Sequence, residues 1–239
     1  MSIRSFDFPE GQLLAERYEI VRRLGEGWES EVYLVKERAT SIERAAKVFL
    51  PARNPGNRVA RKTAKKLHEL RHCGALIQYI THEAFEVDEQ PVTMLISEYV
   101  DGQVLAEFLA AQPSRRLTMF EALHVLYALA TALEPVHQHR EYHGDLHAGN
   151  IIVRRSGLGF EIKLIDIFHH RQRKSLSIQN DVLDLIRLFY DMLGGRRHYA
   201  RQPAQVKQIC LGLKRTLISK RFRHAGHLKR HLETLRWDD

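Results

Sequence analysis

The sequence predicts an α+β fold of two unequal lobes, strands gathered in the first third and helices dominating after about residue 105. Three observations carry that expectation. Glu31–Glu37 (EVYLVKE) alternates apolar and polar residues with the period of a half-buried strand, and its neighbours read the same way. From Leu105 onward the spacing becomes helical, most clearly at Thr118-Met-Phe-Glu121, a capping box ahead of Leu123, Leu126, Ala130 and Leu133. The composition, 44% hydrophobic over 239 residues, suffices for a buried core and is too apolar for a disordered chain. Strands segregated from helices, with no internal repeat or low-complexity linker, point to α+β rather than alternating α/β.

Taken in order, Tyr18–Leu24 is a strand that enters the turn Gly25-Glu26-Gly27, and Glu31–Glu37 returns from it. Ala45–Leu50 is a third strand, closed by Pro51. A helix is expected between Asn57 and His72, with Val59, Ala64, Leu67 and Leu70 as its apolar set. Strand pattern returns at Leu76–Ile80 and Pro91–Val100, ending at Asp101-Gly102. The helix after Thr118 is expected to run to about His139. A short strand at Asn150–Val153 pairs with Glu161–Ile167. Further helices are expected at Asp181–Leu193 and around Pro203–Leu217 and Gly226–Trp237. The expected division is a β-rich N-lobe over residues 1–98 and a helical C-lobe over residues 99–239.

Lys and Arg (37) outnumber Asp and Glu (29), a formal charge of +8 concentrated in Arg58–Lys66, Arg171–Lys174 and Lys214–Arg230. The interleaved aromatics of a base-stacking surface are missing, so a solvated face is expected rather than a nucleic-acid interface. An acidic partner or RNA at the C-terminal stretch is the alternative. No apolar run approaches the ~20 residues of a membrane span. The start, MSIRSFDFPEG, lacks the basic flank and apolar stretch of a signal peptide. Cys73 and Cys210 show no metal spacing. The expectation is a soluble cytoplasmic protein with no membrane partner.

The chemistry concentrates in His143-Gly-Asp145-Leu-His147-Ala-Gly-Asn150, which runs into Ile-Ile-Val, and in the later Lys-Leu-Ile-Asp166. An Asp and an Asn five positions apart on a tight loop, with a second Asp closing the next strand, can gather three oxygen ligands around one hard cation such as Mg²⁺. Singly, such residues also simply populate loops. Upstream, Gly25-Glu-Gly27-Trp-Glu-Ser30-Glu-Val32 lies between two strands, and Lys47 follows on a strand twenty residues past Gly27. Backbone amides of such a hairpin approach phosphates and a strand lysine adds a point charge, although hairpins need glycine for their turns anyway. The order of the four features makes the case.

In that order, over roughly Arg17 to Leu235, the chain resembles the protein-kinase-like superfamily, with its two-lobed fold. The resemblance implies an ATP- and Mg²⁺-dependent phosphotransferase. By it, the hairpin with Gly25, Gly27, Ser30 and Val32 covers ATP, and Lys47 holds the α/β-phosphates. Asp145 is the catalytic base, and Asn150 and Asp166 are the Mg²⁺ ligands. Ser97-Glu98-Tyr99-Val100 looks like a hinge where backbone groups at Glu98 and Val100 take the adenine edge. His147 stands where serine/threonine kinases carry a lysine and could reach a γ-phosphate, with a charge that depends on pH. Asp181, opening a helix, looks like the buried aspartate that steadies the catalytic loop. His143 and His147 thus fall on motif positions, and His137 and His139 end a helix where histidine suits the dipole. No zinc site is expected from the four.

The departures bear on the acceptor. Ser30 replaces the third loop glycine, Gly144 replaces an arginine, and Phe168 replaces the glycine after the metal-binding aspartate. Only residues 167–180 separate Asp166 from Asp181, with no Ala-Pro-Glu, so the usual peptide-docking platform is missing. The helix glutamate expected to pair Lys47 is replaced by Thr63, and Glu69 lies about 240° around that helix, on its exposed side; either the helix register differs or Lys47 is held by Asp166 and phosphate alone. The N-terminal RYEIVRRLGEG favours a bacterial-type serine/threonine protein kinase. His143-Gly144-Asp145 favours, as the alternative, a kinase of a small molecule or sugar hydroxyl, as in aminoglycoside phosphotransferases. A nucleotide-binding pseudokinase scaffold is the third reading.

Overall fold

The computed structural model describes residues 3–168 and 173–236. The chain separates into two compact units, Met1–His72 with Ile77–Val100, and Cys73–Leu76 with Asp101–Asp239.

The first unit is a six-stranded antiparallel sheet with one α-helix. Its strands are β1 (Leu13–Leu14), β2 (Tyr18–Glu26), β3 (Ser30–Glu37), β4 (Glu43–Phe49), β5 (Tyr79–Val87) and β6 (Gln90–Glu98), in the order β1-β2-β3-β4-β6-β5. One face buries Tyr18, Ile20, Tyr33, Val35, Ala46, Val48, Met94 and Ile96, and the N-terminal segment covers it with Phe6 and Phe8, whose rings stack at 5.1 Å. The other face packs Phe49 and Leu95 against Ala60 of helix α1 (Arg58–Glu69). With both faces covered, β3 is buried almost throughout instead of on alternate residues. The Asn54 carboxamide oxygen accepts from the amides of Val59 and Ala60 at 3.0 and 3.2 Å, which satisfies two of the donors that open α1.

The strand expected at Leu76–Ile80 forms instead at Tyr79–Val87. As an edge strand it alternates exposed and half-buried residues with no fully buried one, which leaves a weak hydrophobic signal. It joins β6 through Asp88-Glu89, both at positive φ (47° and 59°), the backbone that a two-residue hairpin demands.

The second unit carries a three-stranded sheet, β7 (Gln103–Val104), β8 (Ile151–Ser156) and β9 (Gly159–Leu164). Its helices are α2 (Leu105–Ala110), α3 (Met119–Gln138), α4 (Lys174–Met192), α5 (Arg196–Tyr199), α6 (Ala204–Cys210), α7 (Arg215–Arg221) and α8 (Ala225–Glu233). The capping box of α3 forms as read: Thr118 Oγ1 accepts from the Glu121 amide and the Glu121 carboxylate accepts from the Thr118 amide. Contrary to the expectation of no such run, α3 is long and apolar enough to cross a membrane by length and composition alone. Here its Val125, Leu126, Leu129 and Leu133 are fully buried, and it packs on α4, α8 and β9.

Several boundaries shift for local reasons. Asn150 closes a 3-10 turn at Ala148–Asn150, so β8 starts one residue later, and β9 ends at Leu164 rather than Ile167. The helix expected from Asp181 starts at Lys174, which moves Asp181 from its opening into its interior. The helix around Pro203–Leu217 breaks at Leu211 and Gly212, both at positive φ (49° and 60°), into α6 and α7. Arg171 of the basic run Arg171–Lys174, and Trp237 at the end of the last expected helix, lie outside the described residues.

Candidate active site

In the second unit the loop His143–Asn150 is fixed from below by one buried carboxylate. Asp181, fully buried on α4, accepts from the amides of His143 (2.7 Å) and Gly144 (2.9 Å) and meets His137 Nε2 at 3.1 Å. The Ala225 amide donates to His137 Nδ1, which must therefore carry a lone pair; the ring proton sits on Nε2, facing Asp181. Burial pushes the Asp181 carboxyl up, but the hydrogen bond from His137 and the Gly144 amide outweigh it, and the net direction is down. Asp184, one helical turn on, goes the other way: burial first, then the Asp181 charge, raises it to about 6.

His143 continues the scaffold. Its Nε2 lies 2.8 Å from the Ile165 carbonyl, and its own carbonyl accepts from the Phe168 amide at 2.9 Å. Gly144 has φ +89°, and a Cβ there would stand 2.8 Å from the Phe168 carbonyl oxygen and 3.0 Å from the Tyr142 ring. An arginine at this position is excluded by the backbone and by packing together.

On that base, the Asn150 side-chain amide donates to both the carbonyl (2.9 Å) and the carboxylate (3.2 Å) of Asp145, locking the acid to the loop. With its nitrogen so used, the oxygen of the Asn150 carboxamide is the atom that can ligate a cation. The Ile165 amide donates to the Asn150 carbonyl at 3.0 Å, so Asn150 and Asp166 emerge at the same end of the β8–β9 hairpin. Asp166 holds φ 58°, an uncommon backbone for a residue other than glycine, between the anchored residues Ile165 and Phe168. One carboxylate and one amide oxygen form the hard donor set that suits Mg²⁺ completed by phosphate oxygens. His147 accepts from the Gly149 amide on Nδ1 (3.0 Å) and turns Nε2 to 3.6 Å from the Asp145 carboxylate, so it faces the acid itself in this conformation.

The first unit holds the other residues singled out by sequence. Gly25 pairs with Val32 across β2 and β3, and the hairpin closes with the Gly27 amide donating to the Ser30 carbonyl at 2.8 Å. Neither glycine has positive φ; a Cβ at Gly25 would meet nothing within 4 Å, and at Gly27 only the Ser30 carbonyl at 3.9 Å. The turn does not require these glycines, and what they leave is open backbone for a ligand to approach. Val32 also pairs with Lys47, and Ser30, buried, pairs with Phe49.

Lys47 Nζ lies 3.3 Å from the Glu29 carboxylate, at the tip of the same hairpin. Sequence reasoning looked for the partner on α1, or left Lys47 to Asp166 and phosphate alone, and did not find this pair. There Thr63 is buried and Glu69 is exposed, 3.9 Å from Lys65. At the hinge, the Glu98 amide donates to the Gln78 carbonyl (3.0 Å) and the Glu98 carboxylate accepts from the Gln78 amide (2.9 Å). That rules out the Glu98 amide, though not its carbonyl, as an adenine contact. Val100 is half-buried at the end of this unit.

The chain is 29% identical over 160 residues to the probable serine/threonine-protein kinase SCO3848 of Streptomyces coelicolor, a match covering 66% of this chain and 23% of that protein. It is 31% identical over 143 residues to the serine/threonine-protein kinase PknB of Mycobacterium tuberculosis, covering 59% and 22%. It thus spans about a quarter of the length of these relatives. A crystal structure of a double mutant of the Mycobacterium tuberculosis PknI kinase domain superposes with a TM-score of 0.67 at 20% identity, over 95% of this chain and 98% of that one, which establishes the two-lobed kinase fold. The protein kinase domain model itself matches residues 18–183, from the first residue of β2 to two residues past Asp181, and the chain belongs to that family.

Proposed function

We propose that the chain is an ATP- and Mg²⁺-dependent serine/threonine protein kinase. The observation that carries the proposal is the anchored loop, in which Asn150 clamps Asp145 while Asp181 holds the two amides before it. In the proposed reaction Asp145 accepts the proton of an acceptor hydroxyl. The hydroxyl oxygen bonds to the γ-phosphorus, the bond from that phosphorus to the β–γ bridging oxygen breaks, and its electron pair leaves on ADP. Lys47 and the amides of the Gly25–Val32 hairpin hold the phosphates. Asn150 and Asp166 would hold the cation, which would supply charge neutralisation at the phosphate oxygens.

A second reading, a kinase of a small-molecule hydroxyl, is favoured by one observation. Helix α4 begins at Lys174, so only residues 167–173 lie between Asp166 and that helix. This leaves little chain for a peptide-docking platform.

Labelled γ-phosphate decides between them. Purified protein with Mg²⁺ would be given desalted and whole cell extract in parallel, with Asp166→Asn as the blank. Label entering protein bands, dependent on Asp166 and surviving desalting, is the result expected. Label confined to metabolites selects the second reading. ATP binding with no transfer above the blank would leave a nucleotide-binding scaffold.

The hairpin makes its own prediction. Gly25→Ala and Gly27→Ala should leave the melting temperature unchanged or slightly raised, since neither position needs φ above zero. The KM for ATP should rise about tenfold, roughly 1.4 kcal/mol of lost phosphate contact. An unchanged KM would return these glycines to a turn-forming role.

A further inference from the structure

From the ion pair at 3.3 Å between Lys47 and the hairpin tip, we infer that Glu29 is the positioning residue for the phosphate-binding lysine, in place of a helix glutamate. The inference rests on the kinase reading and extends it to a residue that no motif marks.

The sheet ladder sets the geometry. Ser30 pairs with Phe49, Val32 pairs with Lys47, and the Leu50 amide donates to the Glu29 carbonyl at 3.0 Å. The backbone of Glu29 is therefore tied to the strand that carries Lys47. Next to it, the Arg53 guanidinium sits 4.0 Å over the Trp28 ring, a second tie between the hairpin tip and the segment after β4. The side chains of Lys47 and Glu29 are only 16% and 21% exposed, so water and salt screen their attraction weakly.

Helix α1 offers no substitute. Its buried positions are Ala60, Thr63, Lys66 and Leu67, and its single acid, Glu69, is on the exposed side. A lysine on a four-carbon stem has much rotamer entropy to lose, and a fixed carboxylate removes part of that loss before the phosphate arrives. An ammonium carries three donors, so an ion pair with Glu29 is compatible with contacts to phosphate oxygens. The carboxylate stands in the turn between β2 and β3, its backbone tied through Leu50 to the strand that carries the lysine, and readiness of Lys47 does not wait on a movement of α1.

The same contact could in principle act in the opposite sense, as a carboxylate competing with phosphate for the ammonium, and kinetics separate the two. Glu29→Gln is expected to lower kcat for phosphoryl transfer about 10- to 100-fold, with the KM for ATP changed less than about threefold and an unchanged melting temperature. Glu29→Asp should recover most of the loss. A fall in KM with kcat kept would identify a competitor and overturn the inference. So would equal loss in both variants with a lower melting temperature, which would mark a merely structural role.

A measurement independent of turnover completes the test. Modification of Lys47 by trinitrobenzenesulfonate, followed across pH by peptide mass spectrometry, should move to lower pH in Glu29→Gln. An unmoved profile would overturn the pairing. If the parent protein transfers no label yet that profile shifts, the kinase reading fails while the ion pair stands.

Discussion

Asp166→Asn is expected to leave the chain folded and to lower phosphoryl transfer by about 10²- to 10³-fold at saturating ATP. Asparagine is among the few residues that tolerate left-handed backbone, so the φ of 58° at this position survives the change. What is lost is the negative charge that the proposed metal-binding role requires. Alanine would confuse the result by adding roughly 1–2 kcal/mol of backbone strain to the missing ligand. Initial rates measured beside thermal melts check the prediction. A variant within threefold of the parent rate would remove Asp166 from the metal-binding role.

The second large effect concerns stability. Asp181→Ala would strand three donors that now meet in one buried carboxylate, the amides of His143 and Gly144 and the Nε2 of His137. Breaking a buried charged network of this kind costs about 3–5 kcal/mol, and the melting temperature should fall by about 10 °C or more in a chain of this size. The pH dependence carries a signature. Because the folded carboxyl lies below its ordinary range, its contribution is complete above the unfolded value of about 3.9 and disappears as pH falls through the folded value. The parent should therefore lose stability in acid more steeply than the variant. Asp184 works in reverse: with its carboxyl raised to about 6, its ionisation opposes folding as pH climbs from about 4 through 6. Removing the Asp181 charge should relieve part of that opposition. A melting temperature within 2 °C of the parent would show that the loop does not depend on this carboxylate.

How far these features could be read from the sequence depends on whether a residue's reason lies close to it in the chain. The capping box at Thr118 and Glu121 is complete within four residues, and it formed as read. The loop from His143 to Asn150 was legible because Asp145 and its clamp lie five residues apart. His137 was read as a helix-end residue and proved to be the partner of Asp181. The signal was available, since Leu126, Ala130, Leu133 and His137 follow one another on the buried stripe of α3. Glu29 carried no such mark: its link to Lys47 exists only once β3 and β4 pair, eighteen residues apart in sequence. The face covered by Phe6 and Phe8 was missed for the same reason, because nothing local tells an N-terminal segment where to lie.

The stacking of Arg53 on Trp28 has a practical consequence. The chain has two tryptophans, Trp28 and Trp237, and the first stands 66% exposed at the tip of the glycine hairpin with a guanidinium over its ring. In a Trp237→Phe background the protein becomes its own optical sensor. Nucleotide drawn under the hairpin changes the indole's surroundings, and the emission of Trp28 should saturate with ATP at the concentration that governs turnover. Loop closure could then be timed in a stopped-flow instrument without label or coupling enzyme, before any acceptor has been found.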